Sequence, residues 1–197
     1  MTNLNKIEDL IAQNKGILFT SDLTNLNIPR MYLSKLVSEG KLERVNSGVY
    51  VSSGAIDDEM YYMQVKYPKL IYSHETALYM HGLSDRTPFE YSATVPSSYK
   101  VVKNIAEKNK IYYIKTELHF LGITTRKTSF GNVVNLYNVE RTICDIVRSR
   151  NKIDIQIFNE ALKRYAKLKT AYLILLGEYA KKFNVEKVIK RYMEVLL

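Results

Sequence analysis

Three histidines and a single cysteine are the scarce reactive side chains of this 197-residue chain. Two of them, His74 and His81, stand seven residues apart in Ser73-His74-Glu75-Thr76-Ala77-Leu78-Tyr79-Met80-His81. Zinc sites built on one helical face need imidazoles four apart, so this pair is not a metal motif. His119 lies alone between apolar residues, and no Ser-His-Asp or Cys-His combination is suggested by context. Cys144 cannot form an internal disulfide or, alone, a thiolate site; a buried apolar position on a helix suits it, in a reducing compartment. The eight glycines are scattered, so no glycine-rich phosphate loop is present. No catalytic residue, metal or cofactor is expected. One enzymatic alternative stays open, in which a C-terminal domain cuts or modifies nucleic acid with His74, Glu75, Glu140 and Asp145. Against it, two carboxylates five apart on a helix are poorly placed to share a metal.

The richer chemistry is that of contact with a polyanion. If Leu33, Leu36 and Val37 face a core, then Arg30, Met31, Ser34, Lys35 and Ser38 face outward from the same helix. Arg30 suits a guanine edge or a phosphate, Ser34 either, and Lys35 a phosphate. Thr20 and Ser21, at the start of the preceding helix, can donate to phosphate beside free backbone N–H groups or simply cap the helix. Arg44, Asn46 and Ser47 in a following hairpin reach an adjacent backbone or serve the turn alone. A second basic surface comprises Lys163, Arg164, Lys167, Lys169, Lys181, Lys182, Lys187, Lys190 and Arg191, interrupted by Ile157, Phe158, Leu162, Tyr172, Leu175 and Leu176. It is either a solvated face or a further contact for DNA, RNA or an acidic protein.

Charge supports this emphasis without naming the partner. The net charge is +9, distributed as +1 over residues 1–54, −3 over 55–99, +6 over 100–150 and +5 over 151–197. Apolar residues make up 46% and charged residues 25%, the range of a chain that buries a core. Sixteen tyrosines and no tryptophan are an unusual balance, read mainly as half-buried packing. Residues 1–9 lack the apolar stretch of a signal peptide, and no run reaches the roughly 18 apolar residues of a membrane span. A soluble, cytoplasmic protein without membrane contact is expected.

The elements that must position these side chains follow from periodicity. Ile7, Leu10 and Ile11 predict an amphipathic helix over 5–14, closed by Gly16; Ile17–Phe19 is a short extension; Thr20 or Ser21 caps a second helix to Asn25. After a turn at 25–27, Pro29 opens a third helix that Gly40 ends. Residues 41–45 and 49–51 alternate as a hairpin about Asn46-Ser47-Gly48. This order predicts a winged helix-turn-helix over 1–54, with the third helix in the major groove. Ser52-Ser53-Gly54 reads as a linker, and Asp57-Asp58-Glu59 as the cap of the next helix. In the second domain, 55–197, strands are predicted at 70–72, 91–95, 111–115, 118–121, 123–129 and 133–137. A helix capped by Ser73 runs to Met80 and stops at Gly82; Gly131-Asn132 is a hairpin turn. Helices follow at 139–148, capped by Asn138, then 154–165, 170–183 and 185–197. Glu140, Arg141, Asp145 and Arg148 fall at spacings that favour mutual pairing. The fold class is α+β: a winged helix-turn-helix followed by a mixed α/β domain ending in a helical bundle.

These residues together resemble the AbiEi antitoxins of bacterial abortive-infection toxin–antitoxin systems. The likeness is carried by Gly16-Ile17-Leu18-Phe19-Thr20, by Tyr32-Leu33-Ser34-Lys35-Leu36-Val37 leading to Gly40-Lys41-Leu42-Glu43-Arg44, and by Gly48-Val49-Tyr50. Further on it is carried by Ser73-His74-Glu75-Thr76-Ala77-Leu78 with Gly82-Leu83, and by Glu140-Arg141-Thr142-Ile143-Cys144-Asp145. The resemblance implies a winged DNA-binding domain that represses its own operon at inverted repeats in the promoter. It also implies a C-terminal domain that counters a nucleotidyltransferase-like toxin without a stable complex, the type IV arrangement, in phage resistance. Direct binding of the toxin is the other way such a domain could work. The absence of a long heptad pattern favours a monomer in solution, with two copies on DNA.

Overall fold

The computed structural model describes residues 2–55 and 57–196. They form two compact units: Met1–Met63 with Thr128–Asn132, and Gln64–Lys127 with Val133–Leu197.

The first unit opens with α1 (Asn3–Gln13), whose first turn is capped by Thr2: its hydroxyl accepts from Asn5 N at 3.3 Å. Gly16 has φ +89°, and a side chain there would run into Ala55 Cβ at 2.4 Å and Ser52 Oγ at 2.8 Å. The chain turns there into β1 (Ile17–Phe19), α2 (Thr20–Asn25), α3 (Met31–Ser38), β2 (Leu42–Asn46) and β3 (Val49–Ser52). The strands form an antiparallel sheet in the order β1-β3-β2. Ile7, Leu18, Leu23, Ile28, Leu33, Leu36 and Leu42 close the core.

Three details depart from expectation. Neither Thr20 nor Ser21 caps α2: Phe19 holds that position, and its N–H donates to Asp22 Oδ2 at 2.9 Å, so the side chain three residues on satisfies the end. Val37 does not join the apolar stripe and is 38% exposed, because an eight-residue helix buries only the i, i+3 pair Leu33 and Leu36. Ser52-Ser53-Gly54 is not a free linker, since Ser52 N donates to Gly16 O at 2.8 Å and Ser53 N to Lys41 O at 3.0 Å. Asp58 heads α4 (Glu59–Lys66), as the acidic run predicted, accepting from Tyr61 N at 3.2 Å. Its buried carboxylate also accepts from Thr128 Oγ1 at 2.5 Å and Asn132 Nδ2 at 2.9 Å, while Lys15 Nζ donates to Asn132 Oδ1 at 2.8 Å.

The second unit contains β4 (Ile71–Tyr72), α5 (His74–Met80), β5 (Ser92–Pro96), α6 (Lys103–Lys108), β6 (Lys110–Ile114), α7 (Thr116–His119), β7 (Ile123–Lys127) and β8 (Val133–Tyr137). Then come α8 (Val139–Arg148), a 3-10 turn at Arg150–Lys152, α9 (Ile155–Ala166), α10 (Leu173–Lys182) and α11 (Glu186–Leu196). Leu197, the predicted end of the last helix, lies outside the described residues. The sheet order is β6-β5-β4-β8-β7, with β4–β8 and β5–β6 parallel and the other pairs antiparallel. This is the α+β architecture with a helical end that periodicity indicated.

The predicted strand at 118–121 is instead the end of α7 and the turn after it. Leu118 and Leu121 are three apart, a helical spacing, and both pack on the helical core. Ser73 sits at the N-terminus of α5 without capping it; its hydroxyl takes a hydrogen bond from Thr94 Oγ1 at 2.8 Å instead. Helix α6 was not indicated by the sequence, where six residues with one buried apolar side chain, Ile105, give no stripe.

Helix α8 organises this unit. Asn138 caps it, accepting from Arg141 N at 2.9 Å, and residues 140–147 are all buried. Arg141 has no exposure; its Nε donates to Asp145 Oδ2 at 3.0 Å and its Nη1 to Leu118 O at 2.8 Å and Leu121 O at 2.9 Å. The guanidinium lies 4.0 Å from the ring centroids of both Tyr137 and Phe183. Glu140 does not join this cluster; its Oε1 accepts from Tyr172 N at 3.1 Å, ahead of α10. Cys144 is buried, and burial pushes its thiol pKa up, so it is not a reactive thiolate.

Arg141→Met removes the hydrogen-bonded partner of the buried Asp145 carboxylate, leaving it only Arg148 at 3.7 Å, and is expected to destabilise the protein by about 3 kcal/mol in urea titration. Adding Asp145→Leu to Arg141→Met removes the stranded charge, and the double variant is expected to be more stable than the single one. A double variant no more stable than Arg141→Met would refute this account.

Candidate nucleic-acid interface

Helix α3 presents a polar outer face. With Leu33 and Leu36 buried, Arg30, Ser34, Lys35 and Ser38 are exposed and Met31 is 73% exposed. Asn27, at φ +54°, and the bond from Ile28 N to Leu23 O at 2.8 Å make the tight turn between α2 and α3. Arg30, just before the first helical residue, adopts φ −64° and ψ −16°. Lys35 lies 3.8 Å from Glu39, which also meets Lys41 at 3.4 Å. Exposed pairs of this kind contribute about 0–1 kcal/mol, so Lys35 can exchange its partner for a phosphate at little cost. Lys41, exposed where α3 gives way to β2, is a further cation that the periodic pattern did not single out.

On α2, Ser21 is exposed and Thr20 half-buried. In the hairpin the pairing register shifts between Arg44 and Asn46, a bulge that leaves Arg44 exposed. Asn46 Oδ1 accepts from Ser47 N at 2.7 Å, and Gly48 alone supplies the positive φ, +70°; Asn46 ends the strand rather than opening the turn. The unit therefore offers an exposed helix with Arg, Lys and Ser, flanked by a helix start and a basic hairpin. This set can donate to phosphate oxygens and base edges.

The C-terminal cations do not form a uniform face. Arg164 is committed to structure, with Nη1 donating to Asp85 Oδ1 at 2.9 Å and to Gly82 O at 3.2 Å, and with Nη2 pairing with Asp85 and with Glu160. Lys181 lies 3.8 Å from Glu186 and Lys190 3.8 Å from Glu194. Lys163, Lys167, Lys169, Lys182, Lys187 and Arg191 are exposed.

Among the described residues no group of three or more His, Cys, Asp and Glu side chains could hold a metal. The four side chains of the enzymatic alternative have separate partners. His74 is buried at φ +48°, stacked on Tyr112 with centroids 3.4 Å apart, and bonded at Nδ1 to Ser73 Oγ (2.9 Å) and at Nε2 to Ser149 Oγ (3.0 Å). Glu75 accepts from Ser92 Oγ at 3.0 Å and Lys110 Nζ at 3.1 Å. Glu140 and Asp145 are engaged as described above. His81 Nε2 donates to Tyr137 O at 2.7 Å, and His119 Nε2 to Lys69 O at 2.9 Å.

Burial lowers all three imidazole pKa values below the ordinary 6.5, that of His74 furthest, where Arg148 and Arg141 add to the effect. The unfolded chain therefore binds more protons than the folded one once pH falls below about 6.5, and stability drops as pH falls. Each histidine contributes up to about 1.4 kcal/mol per pH unit. Urea titrations between pH 7 and pH 5 are expected to show this loss, and stability rising as pH falls would contradict it.

In the N-terminal unit two short helices, α2 and α3, are joined by a tight turn and followed by a hairpin, the order of a helix-turn-helix. Residues 5–53, about a quarter of the chain, match the sequence model of the family described as "Transcriptional regulator, AbiEi antitoxin". No curated protein matches the chain in sequence. Among solved structures, that of the RV2827C protein from Mycobacterium tuberculosis is similar, with a TM-score of 0.66 at 12% identity over 96% of this chain and 78% of that one. At that identity the likeness is one of fold. Among the described residues no helix is long and apolar enough to cross a membrane.

Proposed function

We propose that this protein is a cytoplasmic antitoxin and autorepressor. Its winged helix-turn-helix lays α3 in the major groove of promoter DNA at inverted repeats, and its C-terminal domain counters a nucleotidyltransferase-like toxin without a stable complex. The observation that carries the reading is the outer face of α3: Arg30, Met31, Ser34 and Lys35 all exposed, on a helix fixed by Leu33 and Leu36. In this reading Arg30 and Ser34 meet base edges or phosphates, Lys35 a phosphate, Thr20 and Ser21 the backbone at the start of α2, and Arg44, Asn46 and Ser47 the neighbouring strand. Lys163, Lys167, Lys181, Lys182, Lys190 and Arg191 add nonspecific affinity; Arg164, held by two carboxylates, does not. One monomer occupies each half-site.

Mobility shift on the DNA upstream of its own gene, against scrambled competitor, is expected to give two retarded species. Arg30→Ala and Lys35→Ala are expected to weaken binding, and loss of one phosphate contact to reduce the salt slope by about 0.9. Operator affinity and salt slope unchanged in both variants would refute the assignment of α3. A stable complex on co-purification with the toxin would replace the indirect mechanism by direct binding.

A further inference from the structure

Two clefts of the second unit adjoin one another at the edge strand β6. One, of about 450 Å³, is lined by Tyr112, Tyr113, Arg148, Ser149, Asn151 and Lys152, together with Ile111. The other, of about 380 Å³, shares Tyr113 and Arg148 and adds Lys115 and Lys182. Four cations thus line the pair, and no carboxylate does. Behind Arg148, 3.7 Å away, lies the buried Asp145, already bound by Arg141, and Glu75, which acts on Tyr112, is paired with Lys110 at 3.1 Å. Four like charges around concave walls favour an anionic occupant, and clefts of this size take small-molecule or single-residue ligands rather than a duplex.

A chain of hydrogen bonds leads to the same place. Thr94 donates to Ser73 Oγ, which contacts His74 Nδ1, and His74 Nε2 contacts Ser149 Oγ. The imidazole is neutral, being wholly buried among cations, so it offers one donor and one acceptor. An anionic oxygen in the cleft selects the tautomer with the proton on Nε2, in which Ser73 O–H donates to Nδ1, Nε2 donates to Ser149 Oγ, and the Ser149 hydroxyl keeps its hydrogen for that oxygen. The ring of Tyr113, 51% exposed, stands where the two clefts meet, available for stacking; Tyr112 is already covered by His74.

We propose that this double cleft binds single-stranded nucleic acid, with phosphates held by Arg148, Ser149 and Lys152 on one side and by Lys115 and Lys182 on the other, and with an unpaired base on Tyr113. Cations that track a backbone and an aromatic ring that stacks a base are the components of single-strand recognition. None of these residues belongs to the α3 surface; Lys182 is the one also named for nonspecific duplex affinity, so the test uses Lys152, Arg148 and Tyr113 and leaves Lys182 unchanged.

The test is fluorescence anisotropy of the full chain with labelled RNA and DNA single strands of about twelve nucleotides, and with a duplex of the same composition. Lys152→Gln and Arg148→Gln are each expected to weaken single-strand binding several-fold and to flatten its salt dependence by about 0.7 per lost phosphate contact. Tyr113→Leu is expected to weaken it roughly fivefold or more, and Tyr113→Phe to retain it. Lys152 and Tyr113 are exposed, so their variants carry the result if Arg148→Gln fails to fold. Arg30→Ala should leave single-strand binding intact. Equal affinity for RNA and DNA assigns recognition to phosphate and stacking, and preference for RNA adds a 2′-hydroxyl contact. No single-strand binding, or binding whose affinity and salt slope are unchanged in Lys152→Gln and Tyr113→Leu, overturns the proposal.

Discussion

A fully buried arginine sets the terms for the larger unit. Arg141 brings a charge out of water, and everything within reach answers it: Asp145 one turn along the same helix, the carbonyls of Leu118 and Leu121, and the faces of Tyr137 and Phe183. Beyond its own helix, these contacts come from three separate stretches of chain. The carbonyls fix how α7 ends, Tyr137 closes β8, and Phe183 follows α10. Gly122 is drawn into the same arrangement, because a side chain there would meet Arg141 Cβ at 2.8 Å and its backbone has φ +78°. A buried ion pair adds little net stability over an apolar replacement. Its planar, five-donor geometry does fix how several segments meet, and an apolar residue could not do that.

Among its described residues the smaller unit has no buried ion pair: its one buried acid, Asp58, is held by the neutral donors Thr128 and Asn132. Its core is seven aliphatic side chains from three helices, the turn between two of them and the strands, and its polar face is left for contact. The two units therefore use basic residues in different ways. Arg30, Lys35 and Arg44 project from a frame held by apolar packing, whereas Arg141 and Arg164 are parts of the frame itself. Formal charge counts both kinds alike, which is why the +9 balance said less about the interface than the positions of Leu33 and Leu36 did.

Much of this was legible in the sequence where periodicity and capping agree. Asn138 before an amphipathic run gave α8 its limits, Val133–Tyr137 stood out as a strand after the Gly131-Asn132 turn, and the Leu33/Leu36 spacing located the outward residues of α3. What was missed has physical causes. A four-residue α7, with Leu118 on it and Leu121 in the turn after it, is too short to be told from a strand by pattern alone. The cap of α2 lay in Asp22 reaching back to Phe19 N, which a search for Ser or Thr at the first position overlooks. The pairing partner of Glu140 was misplaced because helical spacing reports only neighbours on one helix, and its actual contact, Tyr172 N, is 32 residues away. The cleft at β6 had no linear signature, since Tyr113, Lys152 and Lys182 meet only through the fold.

The buried carboxylate of Asp58 has a consequence for synthesis on the ribosome. Two of its hydrogen-bond donors, Thr128 and Asn132, come about seventy residues later in the chain. At ~5–20 residues per second, the nascent chain spends on the order of several seconds with α3 already made and this acid still hydrated. The N-terminal unit thus cannot mature in the order in which it is translated. A fragment ending before residue 128 lacks the donors that its buried aspartate requires, so cutting the gene at the apparent domain boundary would not reproduce the unit found in the whole protein.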